Sequence, residues 1–225
     1  MGINVVEKVD DLVEVKNILI SVSDKSGLEK FIPALVQSVP DIRIFSTGGT
    51  FARISDILKG RAGDHLTQVS EYTGQPETQG GLVKTLDFKI YLGLLTETYN
   101  DSHQGDLKRT GAVAIDMVIV NLYPFEATIS KEGVTPEQAR GNIDIGGPCM
   151  IRASAKNFLR VAPVVDPGDY PGIIVEMKKN NGCTPLSLRF DLAKKAFGLT
   201  ASYDKAIAAY LADCLFENVN GCYSK

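Results

Sequence analysis

Short, continuous runs of apolar residues alternate along this chain with amphipathic stretches, and this alternation constrains the fold more than any other feature. The clearest runs are Asn17–Val22, Ile42–Phe45 and Met117–Asn121. They are rich in β-branched residues and lack the polar alternation of a half-exposed strand, which is typical of strands covered by helices on both faces. The sequence therefore predicts an α/β fold, with an open, mostly parallel five-stranded sheet and helices on both faces.

Two shorter runs, Thr67–Ser70 and Val161–Val165, complete the predicted sheet. Thr135-Pro136 predicts a helix start, and a further helix is expected to follow Asp144 and to run through Asn157. From Leu186 onward an apolar stripe that includes Leu192, Ala196 and Tyr203 predicts one long C-terminal helix. We divide the chain into an N-terminal extension, residues 1–15, for which disorder is one expectation, an α/β domain, residues 16–185, and a C-terminal helical appendage, residues 186–225.

Composition excludes several classes of function. The 24 basic and 27 acidic residues give a net charge of −3, and no basic run could follow a nucleic-acid backbone. Two histidines and four scattered cysteines argue against a zinc site, a histidine-based triad or a disulfide framework. No apolar run approaches the roughly 20 residues of a membrane span, and the N-terminus does not resemble a signal peptide. We therefore expect a cytoplasmic protein with no metal, membrane or nucleic-acid partner.

Small polar loops follow the first two predicted strands. Ser23-Asp24-Lys25 follows the first, and Thr47-Gly48-Gly49-Thr50 follows the second. Free backbone N–H groups at a helix start, together with hydroxyls and glycines, make an anion site. Each loop taken singly is equally well explained as an ordinary capped turn, but two of them after adjacent strands favour a phosphate. Neither loop matches a Walker A or a dinucleotide-binding pattern.

Three charged residues are candidates for chemistry. Lys84 follows the paired glycines of Gly80-Gly81-Leu82-Val83, although a loop lysine is usually a solvated charge. Asp144 and Lys156 flank a predicted helix, and Gly146 and Gly147 could aim N–H groups at a developing negative charge. On spacing alone, an equally good interpretation makes Asp144 a helix cap and Lys156 a charge at that helix's C-terminus.

An ordered set of strings resembles the cyclohydrolase half of the bifunctional AICAR transformylase/IMP cyclohydrolase family. The strings cover about residues 16–215, and they are Ile20–Gly27, Ser46–Thr50, Val69–Gly74, Val83–Leu86, Val120–Phe125, Asn142–Pro148 and Ile151–Asn157. The resemblance implies a methylglyoxal-synthase-like, Rossmann-like fold. It also implies ring closure of FAICAR, a formamido-imidazole-carboxamide ribonucleotide, to IMP and water, with no cofactor or metal.

The same resemblance implies which residues form the site. The residues expected to hold the phosphate and ribose are Ser23, Asp24, Lys25, Thr47, Gly48, Gly49 and Thr50. The residues expected to line the reaction centre are Lys84, Thr85, Asn121, Tyr123, Asp144, Ile145, Gly146 and Lys156. We expect Lys156 to move protons in a pair with Asp144, and the N–H groups of Ile145 and Gly146 to bind the oxyanion. Tyr123 and Lys84 are expected to orient the carboxamide and help to deprotonate it.

The match fails at three places. The family usually has an arginine where Leu82 stands, His-Pro where Asp87-Phe88 stands, and a His-Gly-Gly-like segment where Tyr91-Leu92-Gly93 stands. Leucine offers none of the arginine's planar charged fork, so substrate affinity or identity is open at this point. The transformylase domain is expected to be absent, so that a separate formyltransferase enzyme would supply FAICAR.

Other functions of the same fold stay open. One alternative is a methylglyoxal synthase, whose catalytic residues we cannot place on this sequence. The other is a non-catalytic regulatory domain that binds a purine nucleotide, which would keep the phosphate loops without needing Asp144 and Lys156. A homodimer is a modest preference, because the bifunctional relatives are dimers.

Overall fold

Five parallel strands form the central sheet. The structure is a computed structural model, and it describes residues 5–75 and 85–224. The strands are β1 Leu12–Glu14, β2 Asn17–Val22, β3 Arg43–Ser46, β4 Leu66–Gln68, β5 Met117–Asn121, β6 Ala162–Val164 and β7 Cys183–Pro185. The order in the main sheet is β4-β3-β2-β5-β6, and all of its neighbours run parallel. The predicted five-stranded parallel sheet is confirmed.

Helices cover both faces of this sheet. They are α1 Leu28–Ser38, α2 Gly48–Leu58, α3 Ala62–His65, α4 Val69–Thr73, α5 Phe88–Leu95, α6 Asp101–Thr110, α7 Phe125–Ile129, α8 Pro136–Gly141, α9 Gly146–Lys156, α10 Tyr170–Lys179, α11 Leu186–Asp213 and α12 Phe216–Asn220. Short 3-10 turns span Lys59–Arg61 and Pro167–Asp169. Ile18 and Ile20 of β2 belong to a core shared with α1 and α10, whereas Leu19 belongs to a core shared with α5, α9 and α11. Alternate side chains of one strand are thus buried on opposite faces, which explains why its sequence is apolar throughout.

The predicted strand bounds hold best where the apolar run is longest. β2 and β5 begin and end at the predicted residues. The third run was predicted at Thr67–Ser70, but the strand is Leu66–Gln68 and α4 begins at Val69. The predicted helix after Thr135 is confirmed, and Thr135 forms a capping box with Gln138.

The end of the N-terminal extension is part of the fold. β1 pairs antiparallel with β7, and this second, two-stranded sheet was not predicted. Arg189, which is fully buried, donates hydrogen bonds to the carbonyl oxygens of Asp10 and Asp11 at 2.8 and 3.1 Å. Disorder is therefore the wrong expectation for residues 10–14, while the division at residues 15 and 185 stays a prediction.

The long C-terminal helix, α11, packs on the α/β layers. It contacts α9, β6 and α7; Leu192, Ala193 and Ala196 are buried in its first half, and Tyr203 in its second half. Within residues 5–75 and 85–224, no helix combines the length and the apolar character that a bilayer span requires.

Candidate active site

The carboxyl ends of β2 and β5 open a crevice at the edge of the sheet. The chain adds β3 and β4 on one side of β2, and β5 and β6 on the other, so the strand order reverses between β2 and β5. Open α/β sheets bind ligands outside such a switch point. Asn121, the last residue of β5, bridges the crevice: its Oδ1 accepts from the Ser23 and Asp24 N–H groups at 2.7 and 2.9 Å, and its Nδ2 donates to Asp24 O at 2.8 Å. Asn121 thereby fixes the loop that follows β2.

Asp24 shapes this loop from outside. Its Oδ1 accepts hydrogen bonds from Ser26 N at 2.9 Å and from Ser26 Oγ at 2.6 Å, and these bonds lower the pKa of Asp24. Gly27, with φ of 80°, adopts the left-handed conformation that carries the chain into α1. Asp24 does not line the hollow described below, and its hydrogen bonds give it a role in the turn, while its predicted substrate contact stays a prediction.

The first open helix end is that of α2. The N–H groups of Gly48 and Gly49 have no acceptor among the described residues. The Thr50 hydroxyl donates to Val22 O at 3.0 Å and accepts from Val22 N at 3.1 Å, which ties the helix start to β2. A Cβ at Gly49 would lie 4.0 Å from Lys25 Nζ, so the lysine ammonium stands beside the open amides. Free N–H groups, the positive end of a helix and a cation together make an anion site.

The second open helix end is that of α9. Asp144 Oδ1 accepts from Gly147 N at 2.9 Å, and Pro148 has no N–H. The N–H groups of Ile145 and Gly146 are the other donors at this helix start, and neither has an acceptor in the described part of the chain. Partial burial raises the pKa of Asp144, although hydrogen bonds from the Gly147 and Tyr123 backbones oppose this rise.

Glycine is required at two positions of this second helix end. A Cβ at Gly147 would lie 2.6 Å from Asp144 Oδ2 and 2.7 Å from Leu122 Cδ2, and one at Gly146 would lie 2.7 Å from Thr85 Oγ1. Real Cβ contacts are longer than this, so a side chain at either position would displace Asp144 or Thr85. The close packing holds the open N–H groups of Ile145 and Gly146 beside the Asp144 carboxyl.

Both helix ends open into one hollow of about 540 Å³, a volume within the usual range of small-molecule sites. Twelve of the predicted site residues line it: Ser23, Lys25, Thr47, Gly48, Gly49, Thr50, Thr85, Asn121, Tyr123, Asp144, Ile145 and Gly146. Sequence reasoning missed Ser21, Leu86, Ile143 and Met150, which also line the hollow. Of these, Ser21 could have been inferred, because it is a hydroxyl residue at the carboxyl end of the first apolar run; in the structure its hydroxyl lies 3.2 Å from Thr47 Oγ1.

Lys156 is the predicted catalytic residue that the structure places elsewhere. It is the last residue of α9, an 11-residue helix whose first residue lines the hollow, and at about 1.5 Å per residue the two ends lie roughly 16 Å apart. Its side chain is exposed and makes no ion pair within the described ranges. This placement matches the alternative of a helix cap and a C-terminal charge, and the predicted proton-transfer role of Lys156 stays a prediction. Lys84 and Leu82 lie outside the described residues.

Two of the family departures fall on structural positions. Asp87, which is buried, caps α5 by accepting a hydrogen bond from Lys89 N at 2.7 Å. In the second segment the departures are Tyr91, which packs against the core, and Leu92, whereas Gly93 keeps the family's last glycine and packs so closely that a Cβ would lie 2.4 Å from Val113 O. Asp87, Tyr91 and Leu92 do not line the hollow, so these two departures leave its described wall unchanged.

Two family models match successive parts of the chain. The model of the MGS-like domain matches residues 27–149, and the model described as AICARFT/IMPCHase bienzyme matches residues 154–223. The junction between the two lies inside α9.

Curated relatives and a solved structure are similar over most of this chain. The Bifunctional purine biosynthesis protein PurH of Chlorobium phaeobacteroides is 46% identical over 203 residues, which are 90% of this chain and 38% of the relative. That of Magnetococcus marinus is 45% identical over 201 residues, 89% of this chain and 36% of the relative. The chain thus spans less than two-fifths of the length of these relatives. A solved structure described as Crystal structure of ForH has a TM-score of 0.71 and 30% identity, covering 86% of this chain and 97% of that one.

Proposed function

This chain belongs to the AICARFT/IMPCHase family through its MGS-like domain, and from that membership we propose that it is an IMP cyclohydrolase. The reaction closes the purine ring of FAICAR and releases water. The observation that carries the proposal is the hollow itself, in which a helix N-terminus with a lysine beside it and a carboxyl beside two open amides face the same space.

The α2 end of the hollow suits the phosphate of a ribonucleotide. The Gly48 and Gly49 N–H groups and the Lys25 ammonium supply donors and positive charge at one point. Binding energy gathered at a remote phosphate can orient the reacting part of the same molecule. The ribose and base would then extend toward α9.

The groups at the N-terminal end of α9 suit the ring closure itself. The carboxamide nitrogen forms a bond to the formyl carbon, and negative charge develops on the formyl oxygen, where the Ile145 and Gly146 N–H groups can bind it. The carboxamide nitrogen loses one proton and the formamido nitrogen loses another, and the formyl oxygen leaves as water when its bond to carbon breaks and the C=N bond forms. Asp144, with its raised pKa, is suited to accept a proton from the nitrogen and return it to the oxygen.

Tyr123 and Lys84 complete the proposed assignment. Tyr123 lines the hollow two residues after the end of β5, and its proposed role is to orient the carboxamide. The family resemblance gives Lys84 a similar role. Lys156 is assigned no step, since α9 separates it from the hollow.

Incubation of the purified chain with FAICAR tests the proposal. We expect IMP to form, followed by its ultraviolet absorbance and by chromatography, at a rate well above that of the buffer. Parallel incubations with dihydroxyacetone phosphate and with IMP distinguish the other functions. Release of methylglyoxal would indicate a methylglyoxal synthase, and tight binding of IMP without turnover of FAICAR would indicate a regulatory nucleotide-binding domain.

A further inference from the structure

The Tyr203 side chain, on α11, forms hydrogen bonds with the backbone of Asn142 and Asp144. Its phenol oxygen accepts a hydrogen bond from Asp144 N at 2.8 Å and lies 3.4 Å from Asn142 O, to which it can donate. The side chain is 9% exposed. One hydroxyl therefore satisfies a donor and an acceptor on the segment that leads into α9.

The Tyr203 ring also touches the segment that carries Tyr123. It packs edge-on against Phe125, with ring centroids 6.2 Å apart, and Phe125 is buried two residues after Tyr123. Tyr203 thus stands between the two segments that supply the reaction end of the hollow, and it lines no part of the hollow itself.

We propose that Tyr203 is a positioning residue, which holds the Asp144 backbone so that the Asp144 carboxyl and the open N–H groups of Ile145 and Gly146 keep a fixed relation. The Asp144 side chain is held by Gly147, and its backbone N–H is held by Tyr203. Loss of the second contact frees the peptide between Ile143 and Asp144, one residue before the Ile145 N–H group. This proposal rests on the proposed function, and it makes the second half of α11 a support of the reaction end rather than an appendage.

The chain offers a matched control in Tyr210. This tyrosine lies two turns further along α11 and also packs edge-on against Phe125, with centroids 5.9 Å apart. It makes no hydrogen bond to the described part of the Asp144 segment. Y203F and Y210F each remove one hydroxyl and keep both rings, so the two variants differ in the contact to Asp144.

Kinetics and amide hydrogen exchange test the proposal together. In Y203F we expect the Asp144 amide to exchange about five- to tenfold faster, as loss of one ordinary hydrogen bond implies. We expect kcat to fall about tenfold with KM within twofold, since the phosphate end is untouched and misplaced groups slow the chemistry. In Y210F both quantities should stay within twofold of wild type. Unchanged exchange of the β5 amides shows that each variant is folded.

Specific outcomes would overturn the proposal. They are unchanged Asp144 exchange in Y203F, a kcat within twofold of wild type, or an equal loss of kcat in Y210F. Absence of IMP formation by the wild-type chain would instead refute the proposed function, and the exchange of Asp144 would still decide whether Tyr203 holds this segment.

Discussion

The N-termini of α2 and α9 open on the same hollow, and both begin with a pair of glycines. At α2 the positive helix end has a lysine beside it, and Asp144 is the one carboxylate among the described residues that line the hollow. At α9 the Asp144 carboxyl accepts a hydrogen bond from the Gly147 N–H group, and the Ile145 and Gly146 N–H groups have no acceptor among the described residues. In the proposed function, the first end binds the permanent anion, whereas the second carries a group that exchanges protons beside donors for a transient negative charge. On that proposal, the difference separates substrate binding from chemistry within one crevice.

Replacement of Asp144 should reduce activity more than any other change at the two helix ends. D144N keeps the size of the side chain and an oxygen for Gly147 N, but it removes the proton acceptor. We expect kcat to fall by about 10² to 10⁴, the usual contribution of general acid–base catalysis, with KM within threefold. Steady-state kinetics with FAICAR measure both. A kcat within threefold of wild type would show that the α9 end performs no proton transfer.

The pH dependence of the same pair of proteins sharpens this result. Since burial raises the pKa of Asp144, wild-type activity should rise with pH about a midpoint above that of an ordinary aspartate, about 3.9. The activity of the D144N variant should lack this rise with pH. A raised pKa also means that the folded state binds this proton more tightly, so the resulting stability is present below the unfolded pKa and is lost as pH rises through the folded pKa.

Replacement of Lys25 should have the opposite kinetic signature. K25M removes the cation beside Gly49, so we expect KM to rise about tenfold or more, as loss of a hydrogen bond to a charged group implies, with kcat within twofold. The effect should shrink at high salt. K30M is a matched control, because Lys30 is exposed on α1 and lies outside the hollow. A fall in kcat with unchanged KM would reverse the assignment of the two ends.

The sheet, the family and most of the α2 end could be predicted from the sequence. Apolar runs that are buried on both faces specify parallel strands, and loops after adjacent strands must meet at one edge. β1 and β7 were missed because three-residue strands such as Leu12–Glu14 carry no apolar run. Tyr203 was assigned to an apolar stripe, since the sequence does not show that its hydroxyl meets a backbone 59 residues away.

Lys156 shows why a shared motif can mislead about geometry. The string that contains it matches the family in residue type, but a helix start lies between Asp144 and Lys156, and a helix carries its last residue away from its first. We expect K156M to change kcat and KM by less than twofold, because the exposed ammonium at the C-terminal end of α9 meets no group of the described hollow. Assay beside K25M compares two lysines under one set of conditions. A tenfold fall in kcat for K156M would mean that the far end of α9 takes part in the chemistry, and the division of labour between the two helix starts would then be incomplete.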